Sequence, residues 1–269
     1  MPTGTSTVIV LTIALVVIGF AALCLLLYLK QDGFLFVPQR TDAALAEQWR
    51  TQRVEIMVGE HLIEGWWAEH PAAASPAVVL YFGGNSEDVL FTAATAPKIG
   101  ARKLLVTNYR GYGKSAGRPG QAALFTDALA VYDYAVKQPG VAAADIVVMG
   151  RSLGSGVATW VAANRPVKAA ILITPYDSIL SVASRHYSVF PVRMLLRHPF
   201  PSQELAAKVT APALMIAAEF DTVIPPVHTQ RLAAAWAGPA EVRLLAGMAH
   251  NNVEQHPDYY PSINAFLAR

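Results

Sequence analysis

Apolar and polar positions divide this chain into three regimes. From Val8 to Leu29, 22 consecutive residues carry no charge and are interrupted only by Thr12, Gly19, Cys24 and Tyr28. At about 1.5 Å per residue such a helix spans roughly 33 Å, close to the ~30 Å of a bilayer's hydrocarbon core. Lys30 closes the stretch, and Tyr28 sits where an interfacial aromatic belongs. A cleaved secretory signal would place Lys or Arg ahead of a shorter apolar stretch and a small-residue cleavage site after it, and neither is found around this one. A core helix does not need to be apolar on every face. Residues 1–30 therefore read as a transmembrane anchor. Residues 31–50 read as a juxtamembrane connector, with a helical stretch, TDAALAEQWR, that Thr41 is expected to cap.

The third regime, residues 51–269, predicts a catalytic-sized α/β domain. RVEIMV and HLIEGWWAE flank Gly59-Glu60 as the arms of a β-hairpin. Six short unbroken apolar runs follow: AVVLYF, KLLVTNY, DIVVMG, AAILIT, ALMIAA and VRLLAG. Runs without alternation mark strands buried on both faces. Helical stretches such as FTDALAVYDYAVKQ and SGVATWVAANR separate several of them. Strand and helix in alternation predict a mostly parallel sheet with helices on both faces.

Composition narrows the function classes. With 54% apolar and 15% charged residues, the chain is no disordered or low-complexity protein. A net charge of +2 gives no electrostatic case for nucleic acid. The single cysteine, Cys24, cannot form an internal disulfide or a cysteine–zinc cluster. His186 and His198 have no acidic or cysteine partner at ligand spacing, so no metal and no cofactor are expected. Lys30, Arg40, Arg50 and Arg53 all follow the apolar span, which by the positive-inside rule favours a cytoplasmic C-terminal domain on a single-pass anchor.

The candidate chemistry starts at Gly150-Arg151-Ser152-Leu153-Gly154. Alone, G-x-S-x-G is a weak signal. Here it follows the apolar run Ile146–Met149 and precedes the helix-like stretch Gly154–Asn164, the strand–turn–helix setting of a nucleophile elbow. Gly150 and Gly154 would relieve crowding in so tight a turn, and the hydroxyl of Ser152 would stand at a helix N-terminus that favours negative charge. A serine needs a base. His250 is best placed, on a loop after the last expected strand, Val242–Ala246; His256 is the runner-up. The acid that orients the base should follow a strand between serine and histidine, which favours Asp221 over Asp177 and Glu219. Two oxyanion N–H donors are expected, from Leu153 and from Asn85 in the Phe82-Gly83-Gly84-Asn85-Ser86 turn.

In order, FGGN, NYRGYGKS, GRSLGSG, EFDTVIP and GMAHNN resemble the α/β-hydrolase superfamily from roughly Gly33 to the C-terminus. Within it the chain is similar to the small membrane-anchored serine hydrolases, a branch whose eukaryotic relatives include protein depalmitoylases and lipases. The resemblance implies the triad Ser152, Asp221 and His250 and the oxyanion pair Asn85 and Leu153. The Asn108–Ser115 turn is read as structural, with Arg110 and the glycines shaping the loop beside the site. Relatives often carry His-Gly where this chain has Gly83-Gly84, which bears on how that loop is pinned, and His-Gly or a similar pair where it has Ala217-Ala218.

Residues 175–210 read as a small cap. Its Tyr187, Phe190 and Met194, with Leu195 and Phe200, either line an acyl pocket or pack on the sheet. The expected activity is hydrolysis of a carboxylic ester or thioester, with a lipid-linked substrate in view, through an acyl-serine intermediate. A peptidase or amidase uses the same triad, and a silent membrane-tethered binding module is the reading from another class.

Overall fold

The computed structural model describes residues 4–73 and 75–269. The apolar segment is one helix, α1 (Gly4–Leu35), exposed along most of its length, with Leu27, Gln31, Asp32 and Leu35 half-buried near its C-terminal end. It continues through Gln31–Leu35, residues expected to lie in the connector, because no proline interrupts it before Pro38 and the Phe36 N–H closes its last turn on the Asp32 carbonyl at 2.8 Å. At about 1.5 Å per residue its 32 residues exceed the ~30 Å thickness of a bilayer's hydrocarbon core. Phe36, just after it, is 2% exposed and packs in the core of the folded body. The short α2 (Ala43–Gln48) is capped by Asp42, whose Oδ1 accepts from the Leu45 N–H at 2.8 Å. The expected cap, Thr41, is instead occupied by the Asn108 side chain, which donates to its hydroxyl at 3.1 Å.

Among the described residues, eight strands form one sheet: β1 (Arg53–Val58), β2 (His61–Glu69), β3 (Ser75–Phe82), β4 (Ala101–Thr107), β5 (Ile146–Arg151), β6 (Ala169–Ile173), β7 (Ala213–Ala218) and β8 (Ala240–Leu245). Their spatial order is β1-β2-β4-β3-β5-β6-β7-β8. The hairpin β1–β2 is antiparallel and joins β4 antiparallel, while every pair from β4 to β8 is parallel. All six apolar runs are strands. The last departs from the expected burial: β8 lies at the sheet edge with only Leu245 buried.

Strand alternation divides the core in two. Val78, Leu80 and Phe82 of β3 face one layer, Ala77, Val79 and Tyr81 the other. The first face is covered by α4 (Gln121–Ala135), α5 (Leu153–Asn164), α8 (Ser202–Ala206) and α9 (Pro226–Ala235). The second is covered by α3 (Val89–Ala94) and α10 (Tyr259–Leu267). Two further helices, α6 (Ile179–His186) and α7 (Val192–Leu195), contribute one fully buried residue between them, Val192. They sit as a cap rather than as part of the layer, whereas α8 packs on α5 and α9. Phe200 belongs to the core, against Phe125, Tyr176 and Phe36. From β3 the chain passes first to β4 on one side and later to β5 on the other, so the crevice beyond their C-terminal ends is the sheet's topological switch point.

Candidate active site

Ser152 stands between β5 and α5 with φ 49° and ψ −116°, a conformation costly for a residue with a Cβ. Its own N–H donates to the Ile173 carbonyl of β6 at 2.9 Å, which holds the turn down and leaves the side chain projecting. The flanking glycines are required by contact. A Cβ at Gly150 would meet the Gly154 carbonyl, and one at Gly154 would meet the Phe82 carbonyl.

The loops after β7 and β8 bring two more side chains to this point. The Ser152 hydroxyl donates to His250 Nε2 at 2.9 Å, and His250 Nδ1–H donates to Asp221 Oδ2 at 2.7 Å. The other carboxylate oxygen, Asp221 Oδ1, accepts from the N–H groups of Val223 and Ile224 at 2.9 and 2.7 Å. These amides fix the carboxylate, and the carboxylate fixes the tautomer that leaves Nε2 free to accept. Asp221 and His250 are both buried.

The competing residues have other partners. Asp177 accepts from His228 Nδ1–H at 2.8 Å deep in the body, and Glu219 Oε2 accepts from the Gly247 N–H at 2.8 Å, steadying the loop that carries His250. His256 Nδ1 accepts from the Asp258 N–H. Burial alone would push the Asp177 carboxyl up, but the His228 hydrogen bond and charge, helped by Ser178 and Ser181, hold it below the usual carboxylate value.

The turn after β3 lies against the nucleophile: a Cβ at Gly84 would sit 3.7 Å from that of Ser152. Four groups pin this turn. Tyr109 Oη–H donates to the Gly83 carbonyl at 2.8 Å, and Glu87 Oε2 accepts from the Gly84 N–H at 2.7 Å. Asn85 Oδ1 accepts from Tyr112 Oη–H at 2.9 Å and from the Val37 N–H at 2.8 Å. The N–H groups of Asn85 and Leu153 have no partner among the described residues. Burial raises the Tyr112 hydroxyl to about 12, against a smaller opposing effect from the Val37 N–H, so it remains a donor at ordinary pH.

Sequence reasoning missed this bracing. Tyr109 and Tyr112 lie inside the NYRGYGKS stretch, whose repeated aromatic was the available signal. Arg110, read there as shaping the loop, pairs with Asp127 through both Nε and Nη2, tying the turn to α4. Nothing in the local sequence marks Val37 as a partner of a residue 48 positions away.

Two cavities meet at Ser152 and Asn85. One, of about 540 Å³, is lined by Leu153, by Ile179, Ala183, Tyr187 and Phe190 of the cap, and by the end of α1. Met194, expected beside Tyr187 and Phe190, is not part of its lining and is 84% exposed, because the short α7 turns it away from the body. The other cavity, of about 730 Å³, is lined by Tyr81, Glu87, Arg151, His250, Glu254 and Tyr259, among others. Burial works against the Arg151 charge, but Tyr81, Glu87 and Glu254 around it shift its pKa upward.

No protein-family model matches the chain. It is 32% identical over 248 residues to an uncharacterized protein of Mycobacterium tuberculosis, an alignment covering 90% of this chain and 88% of that one. It is 26% identical to alpha/beta hydrolase domain-containing protein 17C of Xenopus tropicalis, over 93% of this chain and 78% of the relative. Among solved structures it resembles an esterase of Pyrococcus furiosus, with a TM-score of 0.64 and 17% identity, covering 86% of this chain and 98% of that one.

Proposed function

The chain belongs to the α/β-hydrolase family, and on that premise we propose that it is a membrane-anchored serine hydrolase of carboxylic esters or thioesters. The observation that carries the reading is the placement of one imidazole between a buried carboxylate and a serine hydroxyl, at 2.7 and 2.9 Å.

The chemistry follows from these contacts. As Ser152 Oγ forms its bond to the substrate carbonyl carbon, His250 Nε2 takes the hydroxyl proton, and Asp221 stabilises the imidazolium. The carbonyl oxygen becomes an oxyanion, and the N–H groups of Asn85 and Leu153 are the donors assigned to it. His250 then gives its proton to the leaving oxygen or sulfur as the carbonyl–heteroatom bond breaks. Water attacks the acyl-Ser152 ester with His250 again as base, releasing the acid and restoring the serine.

Helix α1 is long and apolar enough to cross a membrane, and we read it as the anchor, with basic residues only on the C-terminal side favouring a cytoplasmic catalytic domain. The three-part division into anchor, connector and catalytic domain follows the same reading. A fluorophosphonate probe tests the nucleophile. It should label the wild-type protein and leave Ser152→Ala unlabelled; equal labelling of both would overturn the assignment.

A further inference from the structure

The two cavities that meet at Ser152 differ in their chemistry and in which half of the catalytic apparatus they touch. His250 lines only the chamber that holds Arg151, Glu87 and Glu254, while Leu153 lines only the apolar groove beneath the cap. The leaving group receives its proton from His250 Nε2, so it must depart on the His250 side, and the acyl chain lies on the other. That other side has an unusual wall. Leu27, Phe34 and Leu35 of α1 line the groove together with Ile179, Tyr187 and Phe190 of the cap.

The wall is fastened in place. Gln31 Nε2 donates to the Leu195 carbonyl at 2.9 Å, its Oε1 accepts from the Arg197 N–H at 2.7 Å, and Asp32 pairs with Arg197 and His198. Phe190 of the cap stacks on Phe20, four turns up α1 and inside the apolar span, at 5.7 Å between ring centres. The cap over the groove therefore touches α1 within its apolar span.

The chamber is the converse. Glu87 is fully engaged: Oε1 accepts from Tyr81 and Thr92, and Oε2 from the Gly84 N–H. The Arg151 guanidinium comes no closer than 3.9 Å to Glu87 and Glu254 and makes no hydrogen bond among the described residues, so its donors remain for a ligand. Three carboxylates, Glu87, Asp88 and Glu254, line the chamber with that single cation, a field that disfavours an anionic head group.

We propose that the substrate is a two-part amphiphile, an ester of a long aliphatic acid with a neutral polyol. Its acyl chain enters from the bilayer along the α1 wall, and its hydroxylated leaving group is held by Arg151. This rests on the serine-hydrolase reading and makes α1 a specificity element as well as an anchor.

The test uses the full-length protein in phosphatidylcholine nanodiscs, with every rate expressed per fluorophosphonate-labelled site. First, kcat/KM is measured for p-nitrophenyl esters from acetate to palmitate. Burial of each methylene is worth about fourfold, so the palmitate-to-acetate ratio should exceed roughly a hundredfold. Phe34→Ser, which opens the wall, and Ala183→Trp, which fills the groove, should each lower that ratio by about tenfold or more. Ratios within about twofold of wild type in both variants would overturn the acyl assignment. Second, Arg151→Leu should lower kcat/KM for monopalmitoylglycerol by about tenfold relative to p-nitrophenyl palmitate, with Arg151→Lys recovering part of it. An equal loss on both substrates, or wild-type cleavage of lysophosphatidic acid as fast as of monopalmitoylglycerol, would overturn the leaving-group assignment. Absence of labelling and of hydrolysis on every ester would instead sink the serine-hydrolase reading beneath it.

Discussion

The backbone N–H of Val37 donates to Oδ1 of Asn85 at 2.8 Å, joining the residue two positions beyond α1 to the turn assigned to the oxyanion. Tyr112 Oη completes the clamp at 2.9 Å from the same oxygen and 3.0 Å from the Val37 nitrogen. The C-terminal end of α1 and the candidate site are thus joined by direct hydrogen bonds. A backbone donor aimed at a developing charge works only if it does not have to reorganise as the charge appears.

Asn85→Ala keeps the residue's own amide but removes the acceptor that Val37 and Tyr112 hold. It should lower kcat for a short ester by about a hundredfold with little change in KM, since a misplaced oxyanion donor loses transition-state and not ground-state stabilisation. Tyr112→Phe, which leaves the Val37 bond in place, should show a smaller effect of the same kind. Steady-state kinetics on p-nitrophenyl acetate would check both.

Substitutions in the proposed triad should be severe and non-additive. Ser152→Ala or His250→Ala is expected to reduce kcat by about 10⁵ to 10⁶, and Asp221→Asn by about 10⁴ through loss of the tautomer and orientation. Combining two should cost scarcely more than the worse one alone. Circular dichroism of each variant would confirm that the fold is retained.

At the elbow, Gly154→Ala should be among the most destabilising single changes in the protein. The new Cβ would be driven into the Phe82 carbonyl, which is backbone in a central strand and cannot move aside. A loss of about 3 kcal/mol or more is expected, at the upper end for overpacking. Urea unfolding of detergent-solubilised protein would measure it.

The Asp177–His228 pair gives a pH signature separate from activity. The native Asp177 carboxyl lies below its usual value, so the unfolded chain binds more protons there as the medium becomes acid. Its contribution is complete above the ordinary aspartate range, near about pH 4, and is lost as pH falls from there toward the lower native value. Thermal melts between about pH 3 and 7 should therefore show wild type losing stability below pH 4 more steeply than Asp177→Asn. Parallel curves would argue against the pair's role.

Sequence alone determined what depends on neighbours in the chain. The apolar stretch of α1, the hairpin around Gly59, the six parallel strands and the elbow glycines are local signals, because strand burial, turn sterics and span length act over a few residues. Chain order after strands pointed to Ser152, Asp221 and His250, which the structure brings within hydrogen-bond distance of one another, since an open parallel sheet delivers its loops to one edge. Tertiary structure alone decided that Asp177 pairs with His228, that Tyr187 and Phe190 but not Met194 line the groove, and that β8 is an exposed edge. It also decided that α1 runs on to wall the cavity and that Val37 braces Asn85. These are contacts between segments 48 to more than 160 residues apart. Their specificity lies in packing geometry, and no hydrophobic period or motif along the chain encodes it.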